Sequence, residues 1–305
     1  MQTAPAQARP SRPPKKGYIR EYGWAYLFIL APVLLFLIFT LYPVASAFLM
    51  SFQEYSVMGS EWIGADNYTR MVQDEVFWKS MRNTVIFTIG TVPVNIVITY
   101  ALSFFIFQMK NKWQTFFKAT MYLPAVASGV TISVVWLAIY DPTQAGLLNR
   151  FIGLFGFDPV IWLGKSNTAL FSLILMNWLG SHGAGIILYL AAMGGIPKSL
   201  YEAADIDHAS GWSKFWRITW PLMKPTTLYL LVTGVITSFQ VFISVYLMTQ
   251  GGPNFATTTI AYLIYSTAFN FYEFGLAAAQ SFVLAALIIV ISIIQFKYFS
   301  SDVEY

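Results

Sequence analysis

Residues 196–225 read IPKSLYEAADIDHASGWSKFWRITWPLMKP and lie between two long hydrophobic segments of the chain. Ser199 and Glu202 have the spacing of a capping box, which predicts a short helix capped by Ser199. A second apolar stripe, at 212–218, has roughly helical spacing, and two prolines close the stretch. The stretch therefore predicts two short helices held outside a bilayer by two membrane spans. This shape suits docking into the cleft of a partner protein.

The composition of the 305-residue chain is that of a membrane protein. Hydrophobic residues make up 57% of it and charged residues 10%, with a mean hydropathy of +0.59, whereas soluble domains carry about 25% charged residues. The chain has no cysteine, which excludes disulfides and cysteine-ligated zinc. The net positive charge does not require a nucleic-acid partner, because basic residues also accumulate on the cytoplasmic side of membrane proteins.

The predicted fold class is all-α, a polytopic membrane protein with six transmembrane helices. The apolar segments long enough to cross a bilayer lie at about 24–49, 80–108, 119–140, 168–193, 226–249 and 275–296. The segment 257–274 is interrupted by Asn270 and Glu273, which predicts an interfacial or re-entrant helix rather than a seventh span.

The chain is predicted to have three regions. Residues 1–23 are rich in proline and basic residues and predict a disordered cytoplasmic arm, 24–298 form the transmembrane domain, and 299–305 form a short cytoplasmic tail. Ala45-Ser46-Ala47 resembles a signal-peptidase site. The apolar run around it is too long for a signal peptide, which favours an uncleaved membrane anchor.

The distribution of basic residues predicts that both termini are cytoplasmic. With six spans, this orientation puts 13 of the 18 basic residues on the inner side. The inner residues are Arg9, Arg12, Lys15, Lys16, Arg20, Lys110, Lys112, Lys118, Lys198, Lys214, Arg217, Lys224 and Lys297, and the outer ones are Arg70, Lys79, Arg82, Arg150 and Lys165. Acidic residues show no such bias, as the positive-inside rule expects. The loop at 196–225 is then cytoplasmic.

The same loop resembles a known family. It matches the EAA loop of permease subunits in binding-protein-dependent ABC importers, most closely the maltose-type and glycerol-3-phosphate-type permeases, at Glu202, Ala203, Ala204, Asp207, Ala209, Phe215, Ile218 and Pro221. Two positions depart from the family pattern, His208 in place of glycine and Trp220 in place of leucine. Glycine favours positive φ, so either His208 is helical or the turn has moved to Gly211. Weaker likenesses are Gly64-x-x-Asn67-Tyr68 and Gly251-Gly252-Pro253.

The resemblance implies an assembly and a set of contact residues. The chain would pair with a second, homologous permease, two ATPase subunits and an extracytoplasmic solute-binding protein in the bacterial cytoplasmic (inner) membrane. The residues expected to couple to the ATPase are Glu202, Ala203, Ala204, Asp207, Ala209, Gly211 and Phe215. Glu202 can serve both as a helix cap and as a partner contact, and Asp207 can contact the partner or make a local turn bond.

The chain is not expected to be an enzyme or to bind a cofactor or a metal. Gly164-Lys165-Ser166 looks like the end of a P-loop, but Pro159 stands where the first glycine is required and the segment lies in an outer loop. ATP and Mg²⁺ are therefore expected on the partner ATPase.

Polar and aromatic residues inside spans four and five are the candidates for a solute path. They are Asn177, Trp178, His182, Phe239, Gln240 and Ser244. Aromatic faces and amide or hydroxyl groups suit sugars, although hydrogen bonding and packing between helices explain each of these residues better when it is taken singly. His182, the lone titratable group at membrane depth, fits a hydrogen-bonded packing residue better than a proton carrier.

Two other functions stay open on the sequence. A secondary carrier would use an ion gradient and no ATPase, but the predicted spans contain no Asp, Glu, Lys or Arg away from their edges, which disfavours proton coupling. A membrane anchor would have no solute path at all. The absence of a basic residue at depth favours a neutral sugar over a phosphate-bearing solute.

Overall fold

The computed structural model describes residues 15–56, 59–180 and 182–299. These residues are mostly helical and belong to two compact units, Met1–Met50 and Ser51–Tyr305. Each unit is described by itself.

The first unit is a long helix interrupted by a π-helical turn. Helix α1 covers Lys15–Phe36, the π-helical turn π1 covers Leu37–Leu41, and α2 covers Tyr42–Met50. The second residue of α2 is proline, which lacks an N–H and crowds the carbonyl four residues earlier, so the wider π turn makes room for its ring. The stretch Tyr22–Met50 has a mean hydropathy of 2.5 and is long enough to cross a membrane.

The predicted disordered arm is wrong for its last nine residues. Helix α1 begins at Lys15, directly after the last proline of the N-terminal region, whereas the sequence predicted the helix to begin at Trp24. No proline or other strong helix breaker except Gly17 and Gly23 separates Lys15 from the apolar run, so the helix extends backwards. Residues 1–14 of the arm and 300–305 of the tail lie outside the described residues.

The second unit contains a β-hairpin and the remaining helices. Its elements are β1 (Gln53–Ser56), β2 (Gly59–Trp62), α3 (Asp66–Gln73), α4 (Glu75–Phe107), α5 (Asn111–Val126), α6 (Gly129–Ile139), α7 (Leu147–Gly153), α8 (Ala169–Trp178), α9 (Gly183–Gly194), α10 (Lys198–Ile206), α11 (Gly211–Lys214), π2 (Phe215–Thr219), α12 (Trp220–Phe239), α13 (Ile243–Met248), α14 (Ile260–Tyr265), π3 (Ser266–Asn270) and α15 (Phe274–Phe299). The antiparallel hairpin, with Gln53 opposite Trp62, was not predicted.

The helical fold of a multi-pass membrane protein is confirmed. Within the described residues, four helical stretches are long and apolar enough to cross a membrane: Tyr22–Met50, Glu75–Phe107, Gly211–Met248 and Phe274–Tyr298. Two bent pairs, α5 with α6 at 95° and α8 with α9 at 41°, raise the number to six if each pair is one span. The count of six and the side of the termini stay predictions. The segment predicted to be interfacial or re-entrant forms α14, only six residues long, and π3.

The third predicted span is not a single straight helix. Helix α5 ends just after Pro124, and Ala127 and Ser128 have extended backbones, with ψ of 142° and 150°. Ser128 then caps α6, its hydroxyl accepting a bond from the Thr131 N–H at 3.2 Å. Close packing accompanies the bend, since a Cβ on Gly183 of α9 would lie 2.5 Å from the Met121 carbonyl oxygen. Only glycine allows the two backbones to come so close.

Helix α4 is the central helix of the second unit and packs against α8, α9 and α12. Small polar residues recur along its buried side, and their hydroxyls donate to carbonyls one turn earlier: Thr84 to Ser80, Thr91 to Phe87, and Ser103 to Thr99, at 2.7 to 2.8 Å. Such side chains let helices pack closely in a membrane without leaving hydroxyls unsatisfied.

Near the Glu75 end of α4, helix α3 contacts α4 and α15, the hairpin contacts α15, and the loop at 249–259 is hydrogen-bonded to α4. Asn67, buried at the start of α3, donates to the carbonyls of Ser51 and Gln53 at 3.0 and 2.9 Å. Asn83 of α4 fixes the loop by donating to the carbonyls of Phe255 and Thr258 at 2.8 and 3.0 Å. These side-chain bonds hold the connecting segments against the helices.

Candidate functional site

The segment expected to dock on a partner begins with helix α10. Pro197 occupies the N-cap position, and the helix starts at Lys198. The predicted capping box is therefore wrong, because Ser199 is the second residue inside the helix and Glu202 lies beyond the first turn. Proline at the cap fixes the backbone without needing a side-chain hydrogen bond, so the serine is not required there.

Helix α10 ends in a left-handed turn centred on His208. The residue has a φ of 53°, its N–H donates to the Asp205 carbonyl at 3.0 Å, and the Ala209 N–H donates to the Ala204 carbonyl at 2.8 Å. These two bonds form a Schellman motif, in which glycine is the usual left-handed residue. Both alternatives considered for His208 are wrong, since it is not helical and the turn has not moved to Gly211. Histidine tolerates this conformation better than most residues.

The residues predicted to contact an ATPase do not all share one environment. Glu202, Ala203, Asp207 and Gly211 are exposed, and Ala204 and Ala209 are half-buried. The structure adds two apolar side chains that were not among the predicted contacts, Ile206 at 78% and Trp212 at 72% exposure. Exposed apolar groups beside carboxylates are typical of an interaction surface. We call Glu202, Ile206, Asp207 and Trp212 the docking surface.

Phe215 does not belong to the docking surface. It packs inward in an aromatic cluster made of Tyr100, Phe104, Tyr189, Phe215 and Trp220, which join α4, α9, π2 and α12. Phe215 lies edge-on to Tyr100 and Phe104, with ring centroids 5.8 and 5.3 Å apart, and Tyr100 lies edge-on to Tyr189 and Trp220 at 5.1 and 5.4 Å. The Phe215 ring, part of the apolar stripe at 212–218, points toward α4. Sequence spacing alone does not predict this direction.

No loop separates the docking segment from the next span. The segment α11, π2 and α12 runs as one helical stretch, and Pro221 and Pro225 lie within α12 instead of preceding it. As in the first unit, a π turn stands directly before an aromatic residue and a proline. Two side-chain contacts tie α10 to this stretch, an ion pair between Asp205 and Lys214 and a 2.9 Å bond between the hydroxyls of Tyr201 and Thr219. The docking surface is thus joined to α12 by continuous helix and by two side-chain contacts.

A cavity with uncharged polar groups in a largely apolar wall, here called the polar cavity, lies beside the aromatic cluster, between α4, α8, α9 and α12, with α6 and α13 bordering one end. It has two adjoining lobes with volumes of about 370 and 530 Å³, and Asn95, Asn177 and Val241 line both. The first lobe is also lined by His182 and Ser238, and the second by Gln240 and Ser244. No Asp, Glu, Lys or Arg of the described residues lines either lobe.

His182 has both ring nitrogens in hydrogen bonds. Nε2 lies 2.9 Å from the Trp178 carbonyl oxygen, and Nδ1 lies 2.9 Å from the Thr99 hydroxyl. A carbonyl oxygen only accepts, so Nε2 carries the proton, and in the neutral ring Nδ1 accepts from Thr99. The histidine thereby joins the bend of the fourth span to α4.

Two of the predicted path residues point away from the cavity. The Trp178 indole Nε1 donates to the Gly90 carbonyl of α4 at 2.8 Å, and Phe239 is 3% exposed and packs in the core with Val92 and Ile260. Each is adjacent in sequence to a lining residue, Asn177 or Gln240. One residue along a helix turns the side chain by about 100°, so neighbours in sequence face different ways.

The main lining residues that sequence reasoning missed are on α4. Thr91, Asn95 and Thr99 line the first lobe and recur every four residues, a spacing that places them on one helix face. The same spacing was visible in the sequence. Among the described residues, the Asn95 Oδ1 is buried and has no hydrogen-bond partner. A buried acceptor beside a cavity is suited to bind a hydroxyl group.

The chain resembles one family and several known proteins. Residues 95–303 match the family described as binding-protein-dependent transport system inner membrane component. The arabinooligosaccharides transport system permease protein AraP of Bacillus subtilis (strain 168) is 34% identical over 89% of this chain and 87% of its own length. The lactose transport system permease protein LacF of Rhizobium radiobacter is 33% identical over 95% and 97%.

The fold is also similar to a solved structure. A chain in the crystal structure of the bacterial alginate ABC transporter, in complex with an alginate pentasaccharide-bound periplasmic protein, superimposes with a TM-score of 0.82 and 25% identity. The match covers 92% of this chain and 95% of that chain.

Proposed function

Since the chain belongs to the family of binding-protein-dependent transport system inner membrane components, we propose that it forms half of the translocation pathway of an ABC importer for a neutral sugar or sugar-like solute. The observation that carries this proposal is the uncharged polar cavity directly beside the aromatic cluster that anchors the docking surface. The solute path and the coupling segment are therefore built on the same helices.

The chemistry of the cavity supports a neutral, hydroxyl-rich solute. Amides of Asn95, Asn177 and Gln240 and hydroxyls of threonine and serine line its lobes, and these groups both donate and accept hydrogen bonds. An acidic solute would be expected to need a basic side chain here, and none of the described lining residues is basic. Among the similar proteins, the names of two refer to arabinooligosaccharides and lactose.

The docking surface supports coupling to a separate ATPase. Glu202 and Asp207 offer exposed carboxylates to a basic partner surface, and Ile206 and Trp212 offer apolar area to a cleft. ATP and Mg²⁺ are bound by that partner in this proposal. A second homologous permease completes the pathway, an extracytoplasmic binding protein delivers the solute, and the complex lies in the bacterial cytoplasmic membrane.

Transport then proceeds by alternating access. Closure of the ATPase pair on ATP displaces the docking surface, and the rigid stretch from α11 to α12 passes the displacement to the cavity. Hydrolysis reverses the motion. The two states differ in how α10 is docked, so a change confined to the docking surface affects transport without altering the cavity.

The proposal is tested by purifying the tagged chain in mild detergent with and without Glu202→Lys. We expect an ATPase to co-purify with the wild type, and the variant to lose it or to hydrolyse ATP without uptake, because the reversed charge repels a basic partner surface. Glu61→Lys is the matched control, since Glu61 is exposed on the hairpin at the other end of α4.

Two outcomes would contradict the proposal. One is normal uptake with coupled ATP hydrolysis in Glu202→Lys. The other is a partner-free chain that transports solute in liposomes under an ion gradient alone, as a secondary carrier would.

A further inference from the structure

A separate cavity of about 450 Å³ lies at the end of α4 that is remote from the docking surface. Lys79, Arg82 and Ile86 of α4, Phe171 and Ile174 of α8, and Asn254 of the loop at 249–259 line it. It shares no lining residue with the two lobes of the solute path. The proposed transport function leaves this cavity unexplained.

One end of the cavity is cationic. The Lys79 ammonium donates to the Asn254 carbonyl at 2.6 Å and lies 5.9 Å from the centre of the Phe255 ring, which fixes its position. An ammonium has three donors, so two stay available. Arg82 is exposed and has no hydrogen bond or ion pair within the described residues, and none of those lining the cavity is acidic.

The two cations are exceptions to the charge distribution of the chain. Both are among the five basic residues that the sequence places on the outer side. Arg70, another of the five, is neutralised by Glu273 at 3.2 Å. Lys79 and Arg82 have no such partner among the described residues and stand one turn apart on α4. Both cations are therefore available to an anion from outside the chain.

The other end of the cavity is apolar and open. Ile86 is 40% and Phe171 47% exposed, and Ile174 is buried behind them. Ile86 lies one turn from Arg82, on the side nearer the middle of α4. The cavity thus changes from cationic to apolar in the direction that leads into the membrane.

The depth of the cations fits a lipid headgroup. Arg82 and Phe104 are both on α4, and at 1.5 Å per residue they stand about 33 Å apart along the helix, close to the hydrocarbon thickness of about 30 Å. Phe104 belongs to the aromatic cluster near the docking surface. Arg82 is therefore at the level of the lipid phosphates in the leaflet farther from the docking surface.

We propose that this cavity binds an anionic phospholipid. Arg82 and the free donors of Lys79 bind the phosphate, and an acyl chain lies along Ile86 and Phe171. A free phosphate ion would use only the cationic end, and a peptide would not need the continuation of the apolar side into the membrane. Because Lys79 also holds Asn254, the lipid would brace the loop at 249–259 against α4 and α8.

The test is native mass spectrometry of the full chain, with the subunits that co-purify, titrated with phosphatidylglycerol or phosphatidylcholine. We expect Lys79→Gln with Arg82→Gln to weaken phosphatidylglycerol binding about thirtyfold, from about 1 kcal/mol for each basic residue. Phosphatidylcholine binding should not change. Arg70→Gln with Arg150→Gln removes the same charge elsewhere on the predicted outer side and should keep wild-type binding.

Ile86→Gln separates a lipid from a free anion. It leaves both cations in place. The variant should bind phosphatidylglycerol more weakly than the wild type does, whereas the two proteins should not differ toward inorganic phosphate. Equal affinity in the Lys79/Arg82 variant, an equal loss in the Arg70/Arg150 control, or saturation by inorganic phosphate would each overturn the proposal. The proposal would also be overturned if no lipid is bound whenever a second permease co-purifies, because the second permease would then cover the cavity.

Discussion

Phe215→Ala tests whether the aromatic cluster transmits force from the docking segment to the membrane helices. The Phe215 ring lies edge-on to Tyr100 and Phe104 of α4, at 5.8 and 5.3 Å. Each such pair contributes about 0.5–1.5 kcal/mol beyond simple burial. Removing both weakens the attachment of π2 to α4 by about 1–3 kcal/mol, before the cost of the cavity that alanine leaves.

We expect this loss to lower uptake per ATP hydrolysed, because π2 can then move without moving α4. The assay is solute uptake and ATP hydrolysis by the complex in proteoliposomes, reported as their ratio. Phe215→Leu keeps much of the volume but not the edge-on ring contacts, so it should give an intermediate ratio. Phe296→Ala is the matched control, since Phe296 is on α15, is 55% exposed and makes no ring contact within the described residues.

A double-mutant cycle with Phe104→Ala isolates the contact itself. Thermal unfolding of the four proteins should give a coupling energy of about 0.5–1.5 kcal/mol for the Phe104–Phe215 pair. Additive effects, with no coupling energy, would refute the packing role. An unchanged ratio of uptake to hydrolysis in Phe215→Ala would refute the transmission of force.

Two further predictions concern the turn and the cavity. His208→Gly should raise thermal stability by about 1 kcal/mol, because glycine adopts the left-handed turn without the steric cost of a side chain; destabilisation in a melting experiment would contradict this. Asn177→Ala should lower solute uptake severalfold with little change in melting temperature, since its amide lines both lobes and has only a 3.4 Å bond to Leu173. Trp178→Phe is the neighbouring control. It should lose about 1 kcal/mol of stability, because it loses the hydrogen bond to Gly90, and should keep its solute affinity. The reverse pattern would refute the assignment of these two side chains.

The helical membrane fold could be predicted because the hydropathy of each segment is read from its own residues. The interruptions of the helices could not be predicted in this way. The break after α5 is accompanied by a close approach of Gly183 to the backbone at Met121, a contact between residues far apart in sequence. The hairpin was missed because its strands lie in a polar loop and are exposed along much of their length. Short polar strands carry no alternating apolar pattern to reveal them.

The candidate site was predicted in part, and its errors have a common cause. Spacing within one segment identified α10 and several lining residues, such as Asn177 and Gln240. It could not decide which way a ring faces, and Phe215 and Trp178 both turned out to contact α4. The direction in which a side chain points depends on which helix packs against it, and the identity of that helix is set by residues along the whole chain. The lining residues of α4 were missed although their four-residue spacing was visible, because small hydroxyls in spans are commonly packing residues.

The positions of the helix breaks bear on the proposed coupling between the docking surface and the cavity. Helices α4, α9 and α12 each contribute to the aromatic cluster and also line the polar cavity. On α4 the two roles fall on adjacent residues, Thr99 at the cavity and Tyr100 in the cluster. Ser238 of α12 bonds to the hydroxyls of Thr88 and Thr91 at 3.0 and 3.2 Å, so α4 and α12 are also joined at the far side. We therefore expect these helices to move together when the cluster is displaced.

Three of the helix breaks, in contrast, border the cavity. Gly129 begins α6 after the bend at 127–128, His182 precedes α9 at the bend of the fourth span, and Gln240 ends α12, and each of the three lines a lobe. Irregular backbone is tolerated at membrane depth where it lines a cavity, because polar groups there can be solvated. A rigid displacement from the docking surface cannot be absorbed between π2 and α12, where the helix is continuous. In the proposed transport cycle it reaches these three breaks instead, and because residues at the breaks line the cavity, we expect the shape of the cavity to change with the docking state.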